Sequence, residues 1–173
     1  MDATDIDHLF SHATDLFRLE TLPVYAVDEE IEDLAAWRAG HRILATPEND
    51  AWLQNIRTTT AAGARWSRAR ILDYPLTEYS EFELYGYQGN ARAGERIYIA
   101  DRTWAEELAD LHDDVWIFDH TVIVRMIYDD DGRFLGVEQS QDLTRFNALR
   151  STALRHAMPL AEFLTAYEPR LVA

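Results

Sequence analysis

The sequence predicts an α/β fold: a single mixed β-sheet flanked by helices, with a C-terminal antiparallel meander followed by helices. Three observations predict it. Runs such as ARWSRARILDY alternate side chains with a period of two. Helix-start residues and glycine stops fall between those runs. The segment VWIFDHTVIVRMIYDDDGRFLGVE places three strand-like runs around two tight turns. At 173 residues, the chain has the length of one domain, expected to span residues 1–173.

The elements follow in order. Ile6, Leu9 and Phe10 share one side of a short helix over about Asp5 to Phe17. FRLETLPVYAV then reads as extended, with Pro23 confining it to an edge or an end. Asp28, Glu29 and Glu30 favour a helix start, because carboxylates suit the positive end of the helix dipole. Val27, Ile31, Leu34 and Ala35 continue that helix at helical spacing, and Gly40 stops it. A second helix is expected from Thr46-Pro47-Glu48, with Trp52, Leu53 and Ile56 as its apolar face and Gly63 as its end.

In the next strand Ser67, Ala69 and Ile71 occupy one face, and Arg68, Arg70 and Leu72 the other. Pro75 and Thr77 open an aromatic-rich helix with Tyr79, Phe82 and Tyr85. ERIYIA returns as a strand, and AEELADLHDD reads as an acidic loop. VWIFD, TVIVRMIY and RFLGVE form the meander, turning at Asp119-His120 and at Asp131-Gly132. Asp142 caps a helix carrying Leu143, Phe146, Leu149 and Ala153, and Pro159 starts a last one. Helices between strands predict parallel pairing, whereas the meander must be antiparallel.

Composition excludes whole classes of chemistry. There is no cysteine, so disulfides, thiolate metal sites and thiol nucleophiles are absent. All 16 basic residues are arginine. Without lysine there is no P-loop, no Schiff base and no Ser–Lys dyad. The opening MDATDIDHLFSHATDLF carries four aspartates before Phe17 and neither a basic residue nor an apolar run, unlike a secretory leader. No stretch has the apolar length of a membrane span, and the expected location is the cytoplasm. The net charge of −15 repels a phosphate backbone, so general nucleic-acid binding is not expected. It suits solubility or a basic protein partner.

Candidate motifs are sparse. His8 and His12 stand four apart on the expected first helix, a spacing able to ligate metal, but no third ligand accompanies them. Asp129, Asp130 and Asp131 lack the alternation and the terminal glutamate of a calcium loop and read as a solvated hairpin. His112, Asp113 and Asp114 lie in a polar loop. Asp119 and His120 end an apolar strand, where a turn explains them. No GxSxG, HExxH or glycine-rich nucleotide loop occurs. No catalytic residue, metal or cofactor is assigned.

More informative are charges inside predicted strands: Arg18 and Glu20, Arg68 and Arg70, and Arg125. A guanidinium in a sheet interior must reach water or pair with a carboxylate, and Glu20, Glu83, Asp119 and Glu138 are available. The expectation is that Arg18, Arg68, Arg70 and Arg125 converge with Glu20, Glu83 and Asp119 on one polar region. Two outcomes are open: structural ion pairs, or an arginine-lined pocket for a small anionic ligand.

FRLETLPVYAVDEE, PLTEYSEFELYGYQGNARAGERIYIADR and DVWIFDHTVIVRMIYDDDGRFLGVE together resemble an uncharacterised actinobacterial family of unknown function, over about residues 14–167. The resemblance implies cytoplasmic proteins encoded beside helix-turn-helix regulators, with an accessory role in regulation or in a toxin–antitoxin-like pair. In its fold, ARAGERIYI followed by IFD and VIVRM is similar to phospholipase-D-like domains. Their HxKxxxxD motif is broken here, because Val122 stands where the lysine after His120 would fall. That likeness implies a non-catalytic sensor module.

The expected function is therefore a non-catalytic regulatory or binding domain whose partner is a protein, such as a transcriptional regulator or a toxin-like chain. One alternative is an enzyme using Asp119, Glu83, Glu20 and the arginines on a phosphate or nucleotide. The other is an acidic inhibitor of a basic partner.

Overall fold

A sheet covered on both faces at its centre organises the structure, a computed structural model that describes residues 3–167. The strands are β1 (Asp15–Glu20), β2 (Arg65–Leu72), β3 (Arg96–Asp101), β4 (Val115–Phe118), β5 (Val122–Tyr128), β6 (Phe134–Ser140) and β7 (Met158–Pro159). They form one seven-stranded mixed sheet in the order β6-β5-β4-β1-β2-β3-β7. The neighbours β1, β2 and β3 are parallel, and the other pairings are antiparallel. The α/β class and the C-terminal meander stand as the alternation predicts.

The helices are α1 (Ala3–His12), α2 (Ile31–Arg38), α3 (Ala51–Ala61), α4 (Glu78–Ala93), α5 (Glu106–Ala109), α6 (Leu143–Arg155) and α7 (Leu160–Ala166). On one face of the sheet, Phe17, Leu19, Ala69, Ile71, Val115, Ile117 and Ile123 pack against Leu108 of α5 and Phe146 and Ala153 of α6. On the other face, Leu16, Trp66, Trp116 and Phe118 meet Leu53 and Ile56 of α3, with Leu9 and Phe10 of α1 against them. Further along that second face, Leu72, Ile97 and Ile99 meet Leu84 and Tyr87 of α4 and Phe163 of α7. All six residues of β1 are buried, because it lies at the centre of the sheet with both faces covered.

Local chemistry explains where boundaries differ from expectation. The first helix stops at His12, and residues 15–17 join β1 instead. The next strand stops at Glu20; beyond Pro23 only Ala26 makes a bridge, to Arg133. Thr46-Pro47-Glu48 forms a turn, with Thr46 N–H donating to Asn49 Oδ1 at 2.9 Å. The helix starts later because Asp50 caps it, accepting from Leu53 N–H at 2.9 Å. The acidic loop contains the four-residue α5, anchored by the fully buried Leu108. Met158 and Pro159 add a short seventh strand against Tyr98 and Ile99. Helix α2 buries no residue, and its Ile31 is 62% exposed, so its apolar spacing serves no core.

Candidate functional site: a buried ion network under an aromatic cleft

The period of two puts Arg18 and Glu20 on the same face of β1, and Arg68 and Arg70 on the same face of β2. In-register pairing sets Arg18 beside Arg68 and Glu20 beside Arg70. Three guanidiniums therefore meet beneath α4, and each is held by carboxylate. Arg68 lies between Glu20 (2.7 Å) and Glu95 (2.8 Å). Arg18 lies between Glu20 (3.3 Å) and Asp114 (3.1 Å). Arg70 is gripped by Glu83, with contacts of 2.7 Å and 3.2 Å from two of its nitrogens to one oxygen. All seven of these residues are buried.

Helix α4 supplies the other half of the network. Residues 79, 83 and 87 recur at a spacing of four and share one face. Tyr87 O–H donates to Glu20 at 2.6 Å, with Glu83 Oε1 3.3 Å away. At the end of α4, Gly94 adopts φ +122°, which only glycine takes easily. The turn brings Glu95 under Arg68, and Asn90 Nδ2 donates to the second oxygen of Glu95 at 2.8 Å. On the opposite side, Tyr25 O–H donates to Asp114. The loop that carries Tyr25 is tied to the hairpin by Ala26 N–H donating to the Gly132 carbonyl at 2.9 Å. A side chain at residue 132 would collide with the Val24 carbonyl.

Burial and pairing set opposite protonation tendencies on neighbouring carboxyls. Burial opposes ionisation of Glu20, but the guanidiniums of Arg68, Arg18 and Arg70 outweigh it and hold this carboxyl down to about 2. For Glu83 burial dominates, Arg70 compensates only in part, and the charge of Glu20 adds to the rise, to about 7. Burial also raises Asp114, against the pull of Arg18. Glu30, on the single turn before α2, is raised by burial despite accepting from Tyr79 O–H at 2.6 Å.

Above the network opens a cleft of about 900 Å³. Arg18, Glu20 and Arg68 form its floor, and Tyr79, Glu83 and Tyr87 line one wall. Trp37 of α2, Trp52 of α3, Trp116 of β4 and Tyr128 of β5 also line it, with residues 43–45 at its edge. Two other cavities lie nearby, one of about 710 Å³ beside the Asp129–Gly132 hairpin and one of about 450 Å³ between Tyr25, α2 and the start of α4.

Of the seven residues expected to converge, five do: Arg18, Glu20, Arg68, Arg70 and Glu83. Asp119 does not. It and His120 have φ of 49° and 59°, the two left-handed central residues of a tight hairpin turn. Its carboxylate accepts from Thr14 N–H, Thr14 O–H and Asp15 N–H at 2.8–2.9 Å, tying that turn to the start of β1. Arg125 does not either. It pairs across β5 with Val115, which packs against α6, so it lies on the sheet face opposite the cleft. There it contacts Glu138 at 2.7 Å and Asp113 at 3.8 Å.

The remaining motifs are structural. His8 and His12 stack at 4.1 Å between ring centroids. Asp129 organises its own hairpin, accepting from the N–H groups of Asp131 and Arg133. The residues that spacing missed are Glu95, Asp114, Tyr25, Tyr128 and the cleft tryptophans. A signal for Tyr87 lay in its spacing of four from Glu83 and eight from Tyr79, which puts the three on one face of α4 rather than the expected set of Tyr79, Phe82 and Tyr85.

A family model matches residues 4–165, nearly the whole chain. The chain belongs to the family described as Domain of unknown function (DUF6879). No curated protein matches it. The match is consistent with the family of unknown function that the sequence motifs resemble. Among the described residues, no helix is long and apolar enough to cross a membrane.

Proposed function

We propose that the chain is a non-catalytic binding domain that takes a small molecule into the cleft over β1 and β2 and serves a regulatory partner. One observation carries the reading: a roomy, aromatic-walled cleft rests on charged groups that are already mutually paired. Apolar and aromatic walls with a few fixed polar groups are what small-molecule sites use. A guanidinium clamped by two carboxylates is rigid and pre-organised, which suits recognition more than proton or group transfer. A transcriptional regulator or toxin-like protein is the partner class that the family resemblance implies for such a sensor.

A second reading rests on Glu83. A buried carboxyl raised to about 7 beside a cleft has the poise of a general acid or base, and would make the domain an enzyme.

Gly86 separates these outcomes. It lines the cleft on α4, and a Cβ built there meets nothing within 4 Å. Gly86→Leu should project an apolar side chain into the cleft and obstruct part of it while gaining roughly 0.5–1 kcal/mol of helix propensity. The full chain is dialysed to equilibrium against the small-molecule fraction of its host, and retained compounds are identified by mass spectrometry. A compound held by the wild type, absent from Gly86→Leu and recovered unaltered supports the binding reading. Conversion of that compound to a new mass overturns it in favour of the Glu83 enzyme. Equal retention by both proteins removes the cleft from consideration.

A further inference from the structure

Charge bookkeeping in the cleft points away from the anion that a row of strand arginines predicts. Six carboxylates line it, Glu20, Glu29, Glu30, Asp33, Asp50 and Glu83, against two arginines. Those two, Arg18 and Arg68, each already hold two carboxylates. An anion would have to displace a buried ion pair and then face the remaining acids.

The aromatic walls already receive cations from the protein itself. The Arg68 guanidinium lies 4.9 Å from the Tyr87 ring centroid, and that of Arg18 lies 5.9 Å from Trp116. At the rim, Arg42 has no carboxylate among its described contacts. Its guanidinium donates to the Trp37 backbone carbonyl and sits 4.3 Å over the Trp37 ring and 5.8 Å from that of Tyr85, two rings that line the cleft. Arg42 projects from the irregular segment between α2 and α3 and is itself exposed. It behaves as an internal stand-in: a cation on an exposed segment, laid on the faces of cleft rings. Ring faces attract guanidinium and ammonium groups within about 6 Å, and more strongly once desolvated. Seven residues before Trp37, at the start of the same wall, the half-buried Glu30 accepts from Tyr79 O–H; it feels the charge of Arg68 but makes no direct ion pair among its described contacts.

We infer that the cleft recognises an organic cation, a flat amidinium, guanidinium or ammonium group carried on an apolar body, with the aromatic walls taking its face and Glu30 its charge. Arg42 occupies part of that position in the free protein and yields to the ligand. This inference rests on the binding reading above and adds the ligand's charge class.

The probes are benzamidine and its near-isosteric anion, benzoate, added to full-length chain labelled for indole N–H resonances. Trp37, Trp52 and Trp116 line the cleft, whereas Trp104 packs near Phe163 of α7 and serves as the internal control. Benzamidine is expected to shift the three cleft indoles saturably and leave Trp104 in place, with benzoate inert at the same concentration. Glu30→Gln should weaken benzamidine at least fivefold. Arg42→Ala, checked for an unchanged fold by an unmoved Trp104 resonance because it also removes a hydrogen bond to the Trp37 carbonyl, should tighten it severalfold by removing the internal competitor. If benzoate moves the cleft indoles and benzamidine does not, the cation assignment is overturned while the binding reading stands. If no probe moves them, or if Arg42→Ala weakens benzamidine, the cation assignment is also overturned, and dialysis with Gly86→Leu still judges the cleft separately.

Discussion

The same strands present opposite chemistry on their two faces. Toward α5 and α6, β1 and β2 offer Phe17, Leu19, Ala69 and Ile71, all fully buried in an apolar layer. Toward α4 they offer Arg18, Glu20, Arg68 and Arg70, buried almost as deeply. The first face stabilises in the ordinary way, by removing apolar surface from water. The second does not, because the desolvation of buried ions roughly cancels their attraction, and apolar residues of similar volume would serve stability as well or better. A face that is costly to build and offers no advantage in stability is best explained by the cleft above it.

The largest expected effect breaks that second face from within. Arg70→Met removes the guanidinium that Glu83 is bonded to among its described contacts and leaves that buried carboxyl without its ion-pair partner, and should cost about 3–5 kcal/mol in denaturant unfolding. Ile117→Val, on the apolar face, should cost only about 0.5–1.5 kcal/mol. Similar losses at the two sites would erase the distinction between the faces.

A smaller effect appears as a dependence on pH. The native chain holds the Glu83 proton up to about 7, against an ordinary value of 4.5. Between those values the native state binds more protons than the unfolded chain, so stability from this group is full below about 4.5 and is lost as pH rises through 7. Glu20 runs the other way: its contribution is present above 4.5 and is lost as pH falls toward 2. The melting temperature should therefore fall from pH 5 to pH 8, and Glu83→Gln should flatten that slope. An unchanged slope in the variant would assign it to the general repulsion of a chain carrying −15.

The smallest effect lies at Arg125, on the opposite face, half-exposed and paired with the exposed Glu138. Arg125→Ala should cost no more than about 1 kcal/mol and leave benzamidine binding intact. A loss of binding would mean that the two faces communicate.

Sequence periodicity revealed this contrast only in part. Alternation alone placed Arg68 and Arg70 on one face of β2, and Arg18 with Glu20 on one face of β1, because a strand leaves no other choice. It could not show that β1 and β2 are neighbours in register, the relation that brings Glu20 to Arg68. Glu95 was hidden because its place depends on the backbone turn at Gly94, and Asp114 because it looked like part of a polar loop. Asp119 and Arg125 fit the pattern of charges near apolar strands, but a turn claims the first and the opposite pleat claims the second. The cleft itself is assembled from α2, α3, α4 and the meander, elements far apart in the chain, and its tryptophans read locally as ordinary core residues.

The most direct test replaces the Arg70–Glu83 pair as a unit. Unfolding free energy and the indole response to benzamidine are measured together on the Arg70→Met/Glu83→Leu double variant. If the charged face exists for the cleft, the variant should keep its stability to within about 1 kcal/mol, since both buried charges leave together, and should bind benzamidine at least tenfold more weakly. A variant that loses several kcal/mol yet binds benzamidine like the wild type would contradict the account and assign the network to stability alone.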